Sequence, residues 1–451
     1  MFHNKCLLCL RLAGRSVLFR RKSTYFITTP IFYVNAPPHI GHVYTAVIAD
    51  AAHRFQMLLG CQETVFSTGT DEHGTKIQEA ALQSGSPLPQ YCDHISLQYR
   101  TLFQSCNIDY TDFVRTTEDR HKSEVHKFWN VLQAGGHIYL GTYSGWYCTP
   151  DETFLSENQL AERQGPDGCT YKVSAESGHP VEWTNEENFM FKLSSFQDDL
   201  LRWLQNGLEP PRSLLCHSHW KVDGKKMSKS KGNIIDPLDC IVRYTASGLR
   251  YFLLREGVAH SDGNYSETKA IRILNSELAD SLGNLLNRCS GKTVNPDQIF
   301  PKFCQHSFSI YCNSDEALKL VESLSALPDL VKDHFLACNF YKGIDCIVAT
   351  LHAANRFFES QKPWELCKKH QSPHQNGVLH LTMETLRVCG ILLQPIVPEL
   401  SDTLLRKIGI SKEKRMWKDI RPFSWEQGRL CNVPISAEKI MLYKRIMVSK
   451  S

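Results

Sequence analysis

The chain has 451 residues, 42% of them hydrophobic, which is too long for one compact core and too apolar for disorder, so two or three domains are expected. A formal net charge of +4 does not by itself single out nucleic acid as a partner. The 17 cysteines are odd in number and follow no repeated spacing, which argues against a disulfide framework and for a reducing compartment, and no apolar run is long enough to span a bilayer.

In chain order, the first acidic residue is Asp50, whereas Lys5, Arg11, Arg15, Arg20, Arg21 and Lys22 interleave with leucine and phenylalanine. That is the pattern of a mitochondrial presequence, and Arg11 and Arg15 interrupt the apolar stretch that a secretory signal needs. Residues 1–24 are therefore read as a targeting peptide. The single Cys-x-x-Cys, Cys6 to Cys9, lies inside it and is given no metal or redox role.

Residues 25–29, all β-branched or aromatic, predict a buried strand that Pro30 punctuates. A helix follows Pro37-Pro38, with Val43, Val47, Ala51, Phe55 and Leu58 on one stripe and Gly60 placed to stop it. Strand, loop and helix open a nucleotide-binding α/β unit. A second strand is expected over 64–67, ending in a polar loop over 68–74 that places Asp71 where open α/β sheets bind ligands. Residues 25–140 form the first half of this domain. Residues 141–213 read as an inserted connective domain, turn-rich through Gly165, Pro166, Gly168, Gly178 and Pro180.

Residues 214–265 hold a last catalytic strand and a hairpin, with Asp223-Gly224 as the tight turn between 216–222 and Lys225. From 266 to 451 the pattern is helical. Leu274, Leu278, Leu282 and Leu285 form one stripe; Ile344, Ile347, Leu351 and Phe358 a second; Leu379, Met383, Leu386 and Leu393 a third, which together predict a bundle.

Two segments carry chemistry. In Pro38-His39-Ile40-Gly41-His42, a helix N-terminus presents backbone N–H groups and a positive dipole end to an anion, Gly41 lets phosphates approach, and His39 and His42 can hold phosphate oxygens. Alone, two histidines in a capping turn would be the plainer reading. The second is Lys226-Met227-Ser228-Lys229-Ser230, where two lysines in a loop suit a polyphosphate that gains charge in its transition state. A lone lysine run would usually be a solvated face.

In this order the two segments resemble the paired signature motifs of class I aminoacyl-tRNA synthetases. Three longer stretches narrow the resemblance to methionyl-tRNA synthetase of the organellar and bacterial type: Thr29-Pro30-Ile31-Phe32-Tyr33-Val34-Asn35, Gly69-Thr70-Asp71-Glu72-His73-Gly74 and Lys362-Pro363-Trp364. The resemblance runs from about Tyr25 to the C-terminus. It implies a Rossmann-like α/β catalytic domain with an insert, followed by an α-helical anticodon-binding bundle. It implies that Ile31 and Tyr33 line the methionine pocket, Asp71 holds the α-ammonium group, and His39, Gly41, His42, Lys226, Ser228 and Lys229 bind ATP. Mg²⁺ enters with ATP. The resemblance implies that Trp364 stacks on an anticodon base and that Asn287 contacts the anticodon; a helix-terminal tryptophan is otherwise more often a core anchor. The expected partners are methionine, ATP and tRNA(Met), for a monomer in the mitochondrial matrix without membrane insertion.

The chain departs from the family in two places. Where many relatives carry a zinc knuckle with cysteine pairs, only Cys148, Asp151 and His179 remain, so no structural zinc is expected. After the insert, the path from Trp203 through Gly207, Pro210 and Pro211 to Leu214 is too short for a βαβ unit, which needs about 30 residues. The second half of the nucleotide fold is therefore expected to be incomplete, and methionine activation impaired. Two rival readings are a non-catalytic tRNA-binding isoform and a nucleotidylyltransferase, which shares the first motif.

Overall fold

The computed structural model describes residues 24–447 except 165–167, 208–209, 228–232, 259–260, 312–313, 369–371 and 422–431. The expected targeting peptide up to Ser23, and Ser228 and Lys229, lie outside the described residues. Two compact units are formed, one by the residues up to Thr116 together with those from Leu215 onward, the other by Thr117–Leu214.

The first unit opens with strand β1 (Thr24–Thr28), the short strand β2 (Phe32–Tyr33), helix α1 (Ile40–Leu58) and strand β3 (Glu63–Asp71). Helices α2 (Thr75–Gln83) and α3 (Leu88–Ser105) then lead to β4 (Asp112–Arg115). In α1 the predicted stripe of Val43, Val47, Ala51, Phe55 and Leu58 is buried, and Gly60, at φ 92°, ends the helix where only glycine sits without strain. All strand pairs are parallel: β1 and then β2 lie along one side of β3, and β4 along the other.

The second strand is longer than its sequence pattern predicts, because residues 68–71 belong to β3 rather than to a loop. Partners on both sides hold this stretch, and Gly69 admits one of them: a Cβ there would sit 1.9 Å from the Val114 carbonyl oxygen. Among the described residues β1 pairs only with β3. Phe26 on β1 is 67% exposed, and its register neighbour Val65 is also exposed.

The second unit holds α4 (Asp119–Ala134), β5 (Ile138–Cys148), β6 (Thr153–Leu155), β7 (Leu160–Gln164), β8 (Thr170–Ser174), β9 (Glu182–Phe191) and α5 (Gln197–Gln205). The turn-rich composition hid a regular element here, since β5 and β9 pair antiparallel from Ile138↔Phe191 to Tyr147↔Glu182.

Back in the first unit, β10 (Trp220–Val222) and β11 (Lys225–Lys226) form the predicted hairpin. Asp223 and Gly224 both have positive φ, as a two-residue type I′ turn requires. The strand begins at Trp220 instead of 216. Helix α6 (Pro237–Glu256) and β12 (Gly263–Tyr265) follow. The remainder is mainly helical: α7 (Glu267–Ile273) runs through a π-helical stretch, Leu274–Gly283, into α8 (Asn284–Ser290), and α9 (Gln305–Tyr311), α10 (Asp315–Leu336), α11 (Phe340–Gln361), α12 (Pro363–Lys368), α13 (Ser372–Leu392) and α14 (Pro398–Lys407) follow, with one short antiparallel pair between Ile299–Phe300 and Val433–Pro434. All three predicted stripes are buried.

Arg250 of α6 ties the bundle to the sheet. It is fully buried, pairs with Asp50 of α1 at 2.6 Å, and donates to the carbonyls of Pro395 and Ile396 at 2.9 and 2.8 Å and of Cys106 at 3.2 Å. Asp50 also accepts from Arg54 and from the Asp109 amide, each at 2.8 Å.

Candidate active site

The N-terminus of α1 is built by its two histidines. His39 is the N-cap: the Gly41 N–H donates to His39 Nδ1 at 3.1 Å and the His39 N–H donates to His42 Nδ1 at 3.2 Å, a reciprocal cap. The rings stack with centroids 3.8 Å apart. Because each Nδ1 accepts a hydrogen bond, a neutral ring in this arrangement carries its proton on Nε2.

Behind them, the Tyr99 hydroxyl reaches His42 Nδ1 at 3.1 Å and the Phe32 ring meets His42 edge-on at 5.5 Å. Burial first, and then the neighbouring His39, push the His42 pKa down to about 3. His42 is thus a neutral donor, and the charge of a polyphosphate must be met by the helix dipole and by lysine. Tyr99 was not among the residues singled out in the sequence; the spacing of Cys92, Ile95, Tyr99 and Leu102 marks a helix face but not this contact.

The C-terminal end of β3 brings Tyr33 opposite Asp71 in register. The Val34 amide donates to the Asp71 carbonyl at 3.1 Å. The Asp71 side chain is 39% exposed, so its carboxylate is open to a cationic ligand group. Gly74, at φ 118°, leaves room for Tyr33, whose hydroxyl would lie 2.3 Å from a Cβ at that position.

The loop is braced by buried Glu72, which accepts from Arg115 at 2.7 and 2.9 Å and from Thr70 at 2.8 Å, while Arg115 also reaches Asp93 at 2.6 Å. Such a bidentate pair fixes geometry as well as charge. The contact between Glu72 and Arg115 was missed in the sequence because the two residues lie 43 positions apart. Ile31 lies between β1 and β2 and is 44% exposed.

The hairpin that leads to Lys226 is moored on α1. Thr45 and His217 share a hydrogen bond of 2.9 Å, and the Tyr44 ring meets Trp220 edge-on at 5.4 Å. Lys226 ends β11. His39, Gly41, His42, Tyr33 and Asp71 thus gather at the C-terminal end of one parallel sheet, with the lysine hairpin held by the same helix.

In the helical region a cavity of about 510 Å³ is lined by Asp280, Asn284, Asn287, Arg288, Asn355, Phe358 and Trp364, among others. Lys362, at φ 45°, turns the chain sharply between α11 and α12, so that Trp364 follows Pro363 at the start of the next helix. The Arg288 guanidinium lies 4.9 Å from the Phe358 ring centre and 5.6 Å from that of Trp364, and it forms an ion pair with Glu359. Asn287 and Trp364, far apart in sequence, are brought to one cavity. Trp364 is half-buried and also packs against the core.

In the second unit, the ligand atoms of Cys148, Asp151 and His179 lie within 4.8 Å of one another. The Cys148 thiol donates to Asp151 at 3.1 Å, and His179 Nδ1 meets the same carboxylate at 3.1 Å. In this hydrogen-bonded arrangement burial raises the thiol pKa. These side chains hydrogen-bond to one another as a knot, and among the described residues the group offers three ligands, one fewer than a closed zinc site.

A parallel sheet with a histidine-capped helix N-terminus at its ligand end, and a lysine hairpin on the same helix, defines a class I synthetase type of nucleotide-binding enzyme. Comparison with known proteins agrees. A family model described as tRNA synthetases class I (M) matches residues 25–211 and 205–290. The mitochondrial methionine–tRNA ligase of Xenopus laevis is 37% identical, covering 97% of this chain and 95% of the relative. That of Homo sapiens is 38% identical over 86% of this chain and 84% of its own. Among solved structures, Mycobacterium tuberculosis methionyl-tRNA synthetase in complex with methionyl-adenylate is similar, with a TM-score of 0.79, 26% identity and coverage of 94% of this chain and all of that one. The chain belongs to the methionine–tRNA ligase family.

The Xenopus alignment is 539 positions long and the chain has 451 residues, so no fewer than 88 positions of the relative have no counterpart here. The family match changes over at 205–211.

Proposed function

We propose that this chain is a mitochondrial matrix methionine–tRNA ligase, monomeric, in which methionine activation is impaired by a block missing between Trp203 and Leu214. The observation that carries the reading is the pairing of the His39–His42 cap with the Lys226 hairpin on one helix, in a chain so similar to mitochondrial methionine–tRNA ligases. In the reaction, the methionine carboxylate attacks the α-phosphate of ATP and pyrophosphate leaves; the methionyl group then passes to the 3′ end of tRNA(Met).

Asp71 holds the α-ammonium group of methionine, and Ile31 and Tyr33 face its polarizable thioether. The Nε2–H groups of His39 and His42 and the backbone at Gly41 hold phosphate oxygens. Lys226, Ser228 and Lys229 stabilise the departing pyrophosphate, and Mg²⁺ accompanies ATP as part of that substrate. No protein nucleophile is needed, because positioning and charge stabilisation carry the catalysis. Trp364 stacks on an anticodon base with Asn287 beside it. The Cys148–Asp151–His179 knot takes no zinc.

Geometry supports the reading of impairment. The strand that precedes the histidine cap has no sheet partner beyond β3 among the described residues, and an error of about 1 Å in placement costs on the order of 10²-fold in rate. The test is methionine-dependent exchange of pyrophosphate into ATP, run on this chain and on a version with the relatives' block restored. The expected result is a loss well beyond tenfold. Activity within about tenfold of the restored version, ~1.4 kcal/mol of barrier, overturns the impairment. tRNA binding without exchange in either version favours the non-catalytic reading, and exchange that ignores methionine favours a nucleotidylyltransferase.

A further inference from the structure

A neutral imidazole carries one N–H, so the nitrogen that bears it decides how His42 can meet an anion. Burial, and then His39, lower the His42 pKa to about 3, which keeps the ring neutral near pH 7. Two donors converge on its Nδ1, the His39 N–H at 3.2 Å and the Tyr99 hydroxyl at 3.1 Å. Burial also pushes the Tyr99 pKa up, so the phenol keeps its proton. With these two donors turned toward Nδ1, a proton on that nitrogen would set donor against donor. Tyr99 is fully buried on α3, where a hydroxyl is costly unless it is bonded, and the bond to His42 is the one its hydroxyl makes among the described residues. Its ring is fixed as well. It stacks on Phe32 with centroids 5.3 Å apart and 20° between the planes, and Phe32 meets the His42 ring edge-on. Phe32 pairs in register with Thr70, one step before the Tyr33–Asp71 pair, so the same stack ties His42 to the strand end that carries Asp71.

We propose that Tyr99 is a positioning residue for nucleotide binding, whose hydroxyl holds the His42 ring in the orientation and the Nε2–H tautomer that donate to a phosphate oxygen of ATP. The proposal rests on the reading of His42 as a phosphate-binding residue given above. Tyr99 has no surface to offer a substrate, whereas His42 is only partly buried, so the hydroxyl acts through the imidazole and not on the nucleotide. Without it, only the His39 N–H would oppose a turn of the ring or a shift of its proton. The hold on ATP is then weakened, not abolished.

The test uses the full chain and two measurements: equilibrium binding of ATP, and long-range proton–nitrogen NMR spectra of isotope-labelled histidine, in which the His42 signals are those that vanish in His42→Ala. Tyr99→Phe keeps the ring stack and removes only the hydroxyl. Because Nδ1 keeps the His39 N–H, the melting temperature of this variant should stay close to that of the parent. The expected spectrum shows His42 as the Nε2–H tautomer in the parent and a displaced Nδ1 signal in Tyr99→Phe. The Kd for ATP should rise roughly fivefold to tenfold, the range of one hydrogen bond. In a His42→Ala background, adding Tyr99→Phe should change the Kd no further, because the hydroxyl then has nothing to act through. An unmoved Nδ1 signal, a parent His42 protonated on Nδ1, an unchanged Kd, or a loss of the same size in the His42→Ala background overturns the proposal. Should His42→Ala bind ATP no more weakly than the parent, the phosphate reading of His42 falls and the proposal with it; a loss in His42→Ala without one in Tyr99→Phe overturns the proposal alone.

Discussion

Trp364→Ala separates recognition of tRNA from packing, because the structure gives this residue a share in both. Its ring borders the cavity that also holds Asn287, sits 5.6 Å from the Arg288 guanidinium and 6.4 Å from the Phe358 ring centre, and packs in part against the core. If an anticodon base stacks on it, truncation removes roughly 1–3 kcal/mol of binding, about a 5- to 150-fold rise in Kd. The fold itself should lose less than the 3–5 kcal/mol of a fully buried Trp→Ala change, since buried Pro363 and Leu366 continue to anchor α12. The assay is equilibrium binding of methionine tRNA and of the same tRNA with a substituted anticodon, with thermal melting alongside. The expected outcome is weaker binding of the first tRNA, little change for the second, a small drop in melting temperature, and substantial rescue by Trp364→Phe, which keeps an aromatic face. Unchanged binding of methionine tRNA, or an equal loss for both tRNAs that tracks unfolding, would show that Trp364 serves only the core.

Arg250→Met should cost roughly 3–5 kcal/mol in urea unfolding, because it strands the buried Asp50 carboxylate and several carbonyls; adding Asp50→Asn should recover part of that. Stability should also fall as pH drops from 6.5 toward about 3: His42 takes up a proton over this window when unfolded but not when folded, its folded pKa being lowered by burial. The slope is about 1.4 kcal/mol per pH unit for that proton, and unfolding of His42→Gln at several pH values should show it flattened by that amount. Elemental analysis of the purified chain should find zinc far below one per chain, and Asp151→Asn should loosen the second unit without releasing metal. A reporter fused behind residues 1–24 should enter mitochondria and lose the segment; retention in the cytosol refutes the presequence.

Local spacing made parts of this protein legible in one dimension. The 3.6-residue stripes at Val43–Leu58, Ile344–Phe358 and Leu379–Leu393 are buried as their period requires, and Asp223-Gly224 makes the turn its residue types favour. Length alone was misleading for β3, since Thr68, Gly69 and Thr70 look like a loop until partner strands on both sides draw them into the ladder. The insert hid its β5–β9 ribbon because exposed strands with mixed residues carry no apolar alternation.

The candidate site divides along the same line. The candidate residues His39, His42, Asp71 and Lys226 were legible in the sequence by itself, because a helix start, a strand end and a hairpin are each set by neighbours within a few residues. The protonated nitrogen of each histidine, the neutrality of His42 against Tyr99 and Phe32, and the Glu72–Arg115 brace were decided only by the tertiary structure. So was the exposure of Phe26 on β1, whose residues read as buried strand. Burial and sheet pairing depend on what the rest of the chain brings alongside, and among the described residues β1 has a strand neighbour on one side only.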